Sequence, residues 1–166
     1  MTTIPQATPT FADWPANTRL WLYNADRALT ADEAAFAKTY LADFAQRWVS
    51  HNRALTAYSE LLYGRLAVLG VDEGAAGASG CSIDASVRAL QELGTKLGVD
   101  FFDRMIFLVA EGAQVRAYDR AAFAEAYQSG LLTDETPVVD TLVATVAEAR
   151  SGLVKPLSVS WHVRMV

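Results

Sequence analysis

Two glycine breaks, each set between β-rich apolar runs, constrain this chain more than any other feature. Ala54 to Tyr63 and Leu66 to Val71 flank Gly64-Arg65; Met105 to Ala110 and Gln114 to Tyr118 flank Glu111-Gly112-Ala113. Such runs joined by a short loop pair as antiparallel hairpins, and glycine at the first position of Gly64-Arg65 suits a type II′ turn. Arg19 to Tyr23 reads as a first strand. Thr30-Ala31-Asp32-Glu33 is a capping box, in which the threonine oxygen satisfies a free backbone N–H and the glutamate reaches back. The helix it opens carries Ala37, Leu41, Phe44 and Trp48 on one stripe, with Phe36 and Tyr40 beside it, and ends near Ser50.

A second helix is expected from Ser82 to Leu97, with Ile83, Val87, Leu90 and Leu97 inward and Gly98 as its stop. Asp119 caps a shorter helix that ends at Gly130. After Pro137 two readings stay open: a strand over Val138 to Leu142 with a helix to Arg150, or helix throughout. The tail alternates, with Leu157, Val159, Trp161, Val163 and Met165 on one side and Ser158, Ser160, His162 and Arg164 on the other, which predicts a half-buried last strand. Residues 1–16, with three prolines among small polar residues, read as an irregular arm pinned by Phe11 and Trp14; residues 17–166 read as one domain. The expected class is α+β, an antiparallel or mixed sheet of about five or six strands with three or four helices packed on it.

Bulk properties remove several functions. At 166 residues and 52% hydrophobic, the chain can bury a core. Its formal charge is −5 and its basic residues are scattered singly, which argues against nucleic acid and against anionic membranes as partners. The single cysteine, Cys81, excludes an internal disulfide and a multi-cysteine metal site, and suits a reducing cytoplasm. The two histidines are too far apart in sequence for metal-ligand spacing, so no metal is assigned. Met1-Thr2-Thr3-Ile4-Pro5 has no signal-peptide character, and no apolar stretch is long enough for membrane insertion as a helix.

Chemistry, if present, belongs to Asp72 through Ser86. The apolar run Leu66 to Val71 closes on Asp72-Glu73, the kind of strand end that holds magnesium in nucleotide hydrolases. Gly74 to Gly80 then leads through Cys81 and Ser82 into the second helix, a geometry suited to anions. The P-loop pattern fails, because cysteine stands where its lysine belongs; the dinucleotide pattern is absent; and Arg88 falls one place late for a cysteine-phosphatase loop. Cys81 is either a thiolate activated by the helix dipole or a small apolar filler in a tight corner beside glycines. Ser82 is the expected N-cap, and Asp84 a charge in the first turn. At least one of Gly74, Gly77 and Gly80 is expected to have positive φ or to lie too close to another backbone for a Cβ. His162 is placed on the solvated face of the last strand, with a general base as the sharper alternative. His51 is placed at an exposed helix end, and Asp103 and Arg104 as a structural ion pair.

Arg19 to Arg27, Ala78 to Val87, Val99 to Arg104 and Ser160-Trp161-His162 together resemble a small bacterial family of uncharacterised proteins, often labelled "ABC transporter ATPase". The Gly80-Cys81-Ser82-Ile83-Asp84 run is the most specific part. The resemblance implies a shared fold and a candidate site at that run; the ATPase label has no P-loop lysine and no Leu-Ser-Gly-Gly-Gln signature here to rest on. The leading reading is a cytoplasmic binding or interaction protein for a small ligand or protein partner, with Gly80, Cys81, Ser82, Asp84 and Ser86 as candidate ligand contacts. The alternatives are a thiol-dependent enzyme using Cys81 with His162 or Asp72 as base, and an accessory or vestigial nucleotide binder, as the label suggests.

Overall fold

The computed structural model describes residues 13–74 and 76–166. Phe11 and most of the expected arm lie outside them, as does Ala75 of the glycine-rich link. Trp14 is described: it is buried and stacks on Tyr58 with ring centroids 5.0 Å apart. In chain order the elements are β1 (Arg19–Asn24), α1 (Ala31–Arg47), β2 (Val49–Ser50), β3 (Arg53–Ala54), β4 (Thr56–Leu62), β5 (Leu66–Asp72), α2 (Gly80–Leu97), β6 (Ile106–Glu111), β7 (Gln114–Asp119), α3 (Arg120–Gln128), β8 (Pro137–Val139), α4 (Val146–Gly152) and β9 (Val154–Pro156). Two 3₁₀ turns, Leu157–Val159 and Trp161–Met165, close the chain.

The α+β class and the antiparallel pairing are as the hairpins predict, with the strands divided among a three-stranded sheet (β1-β5-β4), a four-stranded sheet (β7-β6-β8-β9) and the β2-β3 hairpin. β5 is central because it is apolar on both sides. Leu66 and Val68 face a core shared with Leu108 and Val139 of the four-stranded sheet and with Val146 and Ala149 of α4. Ala67, Leu69 and Val71, the alternate set, face a second core made by Ala37 and Leu41 of α1 and Leu90 and Leu93 of α2. A third core, on the far side of the four-stranded sheet, joins Phe107 and Val138 to Phe123 of α3 and to Leu157. Four layers result: α1 and α2, the first sheet, the second sheet, and α3 with the 3₁₀ turns. The start of β1 is also stitched to the start of α4, through Leu20 N to Ala144 O at 2.8 Å and Val146 N to Thr18 O at 3.0 Å.

The capping box forms as read, with Glu33 N donating to Thr30 Oγ1 at 3.2 Å and Thr30 N to Glu33 Oε1 at 2.9 Å. Arg27 grips the same carboxylate through both terminal nitrogens at 2.8 Å; that bond and the Thr30 amide hold the Glu33 carboxyl at about 2. Asp119 caps α3, and Gly130 follows it with φ of 83°. After Pro137 the strand-then-helix reading holds, with a shorter strand.

Several expectations are corrected. The first hairpin turns on Tyr63-Gly64, both with positive φ (56° and 65°), so glycine is second and the turn has the sign pattern of type I′. At the second hairpin Glu111 belongs to β6 and pairs with Gln114, so the break is two residues and not three, with Gly112 (φ 71°) first. α1 stops at Arg47; His51 and Asn52 form the tip of the β2-β3 hairpin with φ of 52° and 64°. The last strand does not form. Leu157, Ser160 and His162 are buried while Val159 is 71% exposed, so burial in the two 3₁₀ turns does not follow the alternation. Asp103 accepts from its neighbour Met105 N at 2.9 Å, and no ion pair joins it to Arg104 among the described residues.

The glycine-rich link is not where glycine is required. Gly74, Gly77 and Gly80 have no positive φ; a Cβ on Gly80 meets nothing within 4 Å, and on the other two it meets only a flexible carboxylate of Asp72 or Glu73. The constrained glycines lie inside regular elements. A Cβ on Gly70 would stand 2.9 Å from the Thr18 methyl, and one on Gly94 would stand 2.5 Å from the backbone oxygen of Val99. Gly94→Ala is therefore expected to lower the unfolding free energy by about 2 kcal/mol, because a backbone oxygen must move, whereas Gly80→Ala should leave it unchanged or raise it by up to ~1 kcal/mol. Urea unfolding of both variants checks the contrast; equal effects would refute it.

Candidate functional site

The acids that close β5 are consumed by the loop they precede. Asp72 Oδ1 accepts from Gly74 N at 3.0 Å; Glu73 Oε2 accepts from Ala78 N at 3.0 Å and lies 3.9 Å from Arg19 Nη1. Among the described residues, no group of three or more histidine, cysteine or acidic side chains is placed to hold a metal.

α2 begins earlier than its sequence predicts. Ser79, not Ser82, is the N-cap: Ser82 N donates to Ser79 Oγ at 3.2 Å, and Ser79 N donates to Ser82 Oγ at 2.6 Å. Ser82 is thus the third helical residue, buried beneath the reciprocal box, and its carbonyl accepts the Trp48 indole N–H at 2.8 Å. The first turn carries no acid, since Asp84 falls in the second and is exposed. Ser86 is buried and spends its hydroxyl on Ile83 O at 2.6 Å and on the Tyr23 phenol at 3.1 Å, tying α2 to β1. Cys81 is exposed, so the reading of a small filler in a tight corner is wrong. Beside it, the Gly80 and Cys81 amides have no partner among the described residues, as expected of the first helical positions.

The thiol and the histidine do not meet. Cys81 stands on α2, in the layer outside the three-stranded sheet, whereas His162 belongs to the aromatic core beyond the four-stranded sheet. His162 is fully buried, contrary to its expected place on a solvated face. Its ring stacks on Trp161 at 3.7 Å and approaches Phe107 and Phe123 at 5.6 and 5.8 Å. Nδ1 lies 2.6 Å from Ser160 Oγ, and Nε2 has no partner among the described residues. Burial pushes the imidazole down to about 4, against a smaller upward pull from Asp140. Burial would raise the Asp140 carboxyl, but Lys155 Nζ at 2.7 Å, the Leu142 amide and the Trp161 indole N–H outweigh it and hold the group below its ordinary value.

A concavity of ligand size opens at the other end of α2. It is a groove of about 610 Å³ walled by Gln91 and Thr95 of α2, by Asp26, and by Asp100 and Phe102 of the segment after the helix, with Leu90 and Phe101 beneath. Its shape follows from the helix stop. Gly98 adopts φ of 69°, the Gly98 and Val99 amides both return to Gly94 O, and the missing side chain at Gly94 lets the chain fold back against the helix. The far wall is clasped to β1's outgoing loop by Asp26 N to Asp100 O at 2.9 Å and Asp100 N to Asp26 Oδ1 at 3.0 Å, while Arg27 donates to Leu97 O at 2.9 Å. Asp26 and Arg27, after β1, thus meet the end of α2 and the segment that follows it at this groove. The sequence reading missed it because its walls are far apart along the chain; the Gly94/Gly98 pair was the one local signal.

No family model, curated protein or solved structure matches this chain. The exposure of Cys81 sets a direct expectation. Ellman's reagent should label one thiol per chain in the native protein, to the same extent as after unfolding, and Cys81→Ser should change stability by less than ~0.5 kcal/mol. A native thiol that resists labelling would mean that this end of α2 is covered.

Proposed function

We propose that this chain is a binding protein whose ligand site is the groove between the last turns of α2 and the Asp100–Phe102 segment, and that it is not a thiol enzyme. The observation that carries this reading is the separation of Cys81 from His162 by two sheets, set against a preformed concavity of mixed lining at the opposite end of α2. The charged groups on the groove are both carboxylates, Asp26 and Asp100, beside the aromatic face of Phe102, which favours neutral or cationic ligands of modest size over anions. A reducing cell interior fits a lone, exposed cysteine, and no helix among the described residues is long and apolar enough to cross a membrane.

A second reading keeps the ligand at Gly80-Cys81-Ser82. It is favoured by the unpartnered Gly80 and Cys81 amides, and it would suit the accessory or vestigial nucleotide binder that the family label suggests. The two readings separate cleanly. A thermal-shift screen of neutral metabolites, organic amines and nucleotides should yield a ligand that raises the melting temperature by mass action. Gln91→Trp, which fills the groove from an exposed position, should abolish that shift. Gly80→Pro, tolerated at a first helical position but lacking the N–H, should leave it intact. The opposite pattern supports the second reading and sinks the first. Without a P-loop lysine, purified protein should release no phosphate from magnesium ATP; release that Asp72→Ala abolishes would overturn both readings.

A further inference from the structure

The end of the chain is attached differently from everything before it. Leu157 N and Ser158 N still donate to the body, to Thr136 O at 2.8 Å and Asp134 O at 3.0 Å. Beyond them the backbone bonds among described residues are internal to the turns, Ser160 N to Leu157 O and Val163 N to Ser160 O, both 3.1 Å. Residues 159–166 join no ladder. Side chains hold them: Trp161 through its indole N–H on Asp140 Oδ1 at 2.9 Å, His162 by complete burial, and Met165 and Val166 partly buried on the same core.

His162 is the anchor, and it suits that place only when neutral. Its ring lies flat on Trp161, perpendicular to the Phe107 ring of β6 and tilted against Phe123 of α3, with Nδ1 on the Ser160 hydroxyl and no partner at Nε2 among the described residues. A proton added there creates a charge without water and a ring with two N–H groups and one acceptor. The groups around it do not rescue the cation. Asp140, after β8, attracts it, but that carboxylate is already engaged by Lys155, Leu142 N and Trp161; Lys155 of β9 repels it. Tyr127 of α3 donates its phenol to Asp134, Tyr118 lies on β7, and Arg164 on the turn itself is exposed.

We propose that residues 159–166 form an acid-sensitive latch, in which protonation of His162 undocks the C-terminal turn and uncovers the apolar face around Phe107 and Phe123 while both sheets stay folded. The docked ring binds its proton only near pH 4, whereas an undocked ring in water binds it at about the ordinary 6.5, so the undocked state holds more protons between those values. Docking is at full strength above pH 6.5 and weakens as the pH falls, by roughly 160-fold at pH 4 and towards a limit of about 300-fold below it. Amide NMR of the full chain between pH 7 and pH 4 tests this. The amides of residues 159–166 and the Trp161 indole should move to coil positions as the pH drops, with those of β5 and α2 unchanged. His162→Phe, which cannot titrate, should stay docked throughout; His162→Gln serves if the larger ring misfolds. The imidazole's own resonance supplies a readout free of any variant. The latch is refuted by a His162 ring that titrates above pH 6 in the native protein. It is equally refuted by identical pH profiles with and without the histidine, or by loss of all amides together.

Discussion

β5 has no solvent face. Leu66 and Val68 belong to the core between the sheets, Ala67, Leu69 and Val71 to the core beneath α1 and α2, and all five are fully buried. One strand therefore supplies the floor of two cores, and neither helix pair nor second sheet has a surface to pack on without it. Truncating a buried leucine in such a place costs roughly 2–5 kcal/mol, against a total of roughly 5–15 kcal/mol for a domain. The chain accommodates this concentration by keeping the strand's one unoccupied position, Gly70, free for the Trp14 ring and the Thr18 methyl. The residues leading into β1 are thus fixed by the same strand that fixes the helices.

The parts of this architecture legible in the sequence were those set by chemistry within a few residues. Thr30 with Glu33, Asp119 at the head of α3 and Gly98 at the end of α2 each satisfy a local backbone demand, and each is where the pattern placed it. The failures have a common form. Alternation from Leu157 to Met165 was a true pattern without a partner strand to give it meaning; the buried positions are Leu157, Ser160 and His162, two of them from the side expected to face solvent. Tyr63 bears a positive φ that glycine would adopt without strain, because the register Leu62 opposite Leu66 fixes the turn. Of the glycines that stand out in sequence, Gly80 sits in open space and Gly74 and Gly77 face only a flexible carboxylate, while Gly70 and Gly94, hidden within a strand and a helix, press on packed atoms.

The same logic governs the candidate sites. The N-terminal end of α2 looked chemical because glycine, cysteine and serine are adjacent in sequence, yet two serines close it on themselves and the neighbouring acids bond the loop amides. The C-terminal end looked plain because Asp26 and Asp100 are brought together by folding alone. Groups that share a helix end in space need share nothing in sequence, and only the Gly94 contact with Val99 connects the local pattern to the concavity.

The stitching of β1 to the start of α4 has a further consequence. Leu20 and Val146 find their backbone partners at Ala144 and Thr18, so the first strand of the chain is completed by a segment synthesised near its end. Closing a loop of that length costs entropy before any contact repays it, and such non-local pairing slows folding. While the chain is being made, β1, β4 and β5 with their helices can assemble from the first hundred or so residues, but one edge of β1 and the inner face of that sheet remain uncovered until α4 arrives. The nascent chain therefore passes through a stage with an open strand edge and an exposed apolar surface, the combination that invites aggregation and chaperone binding.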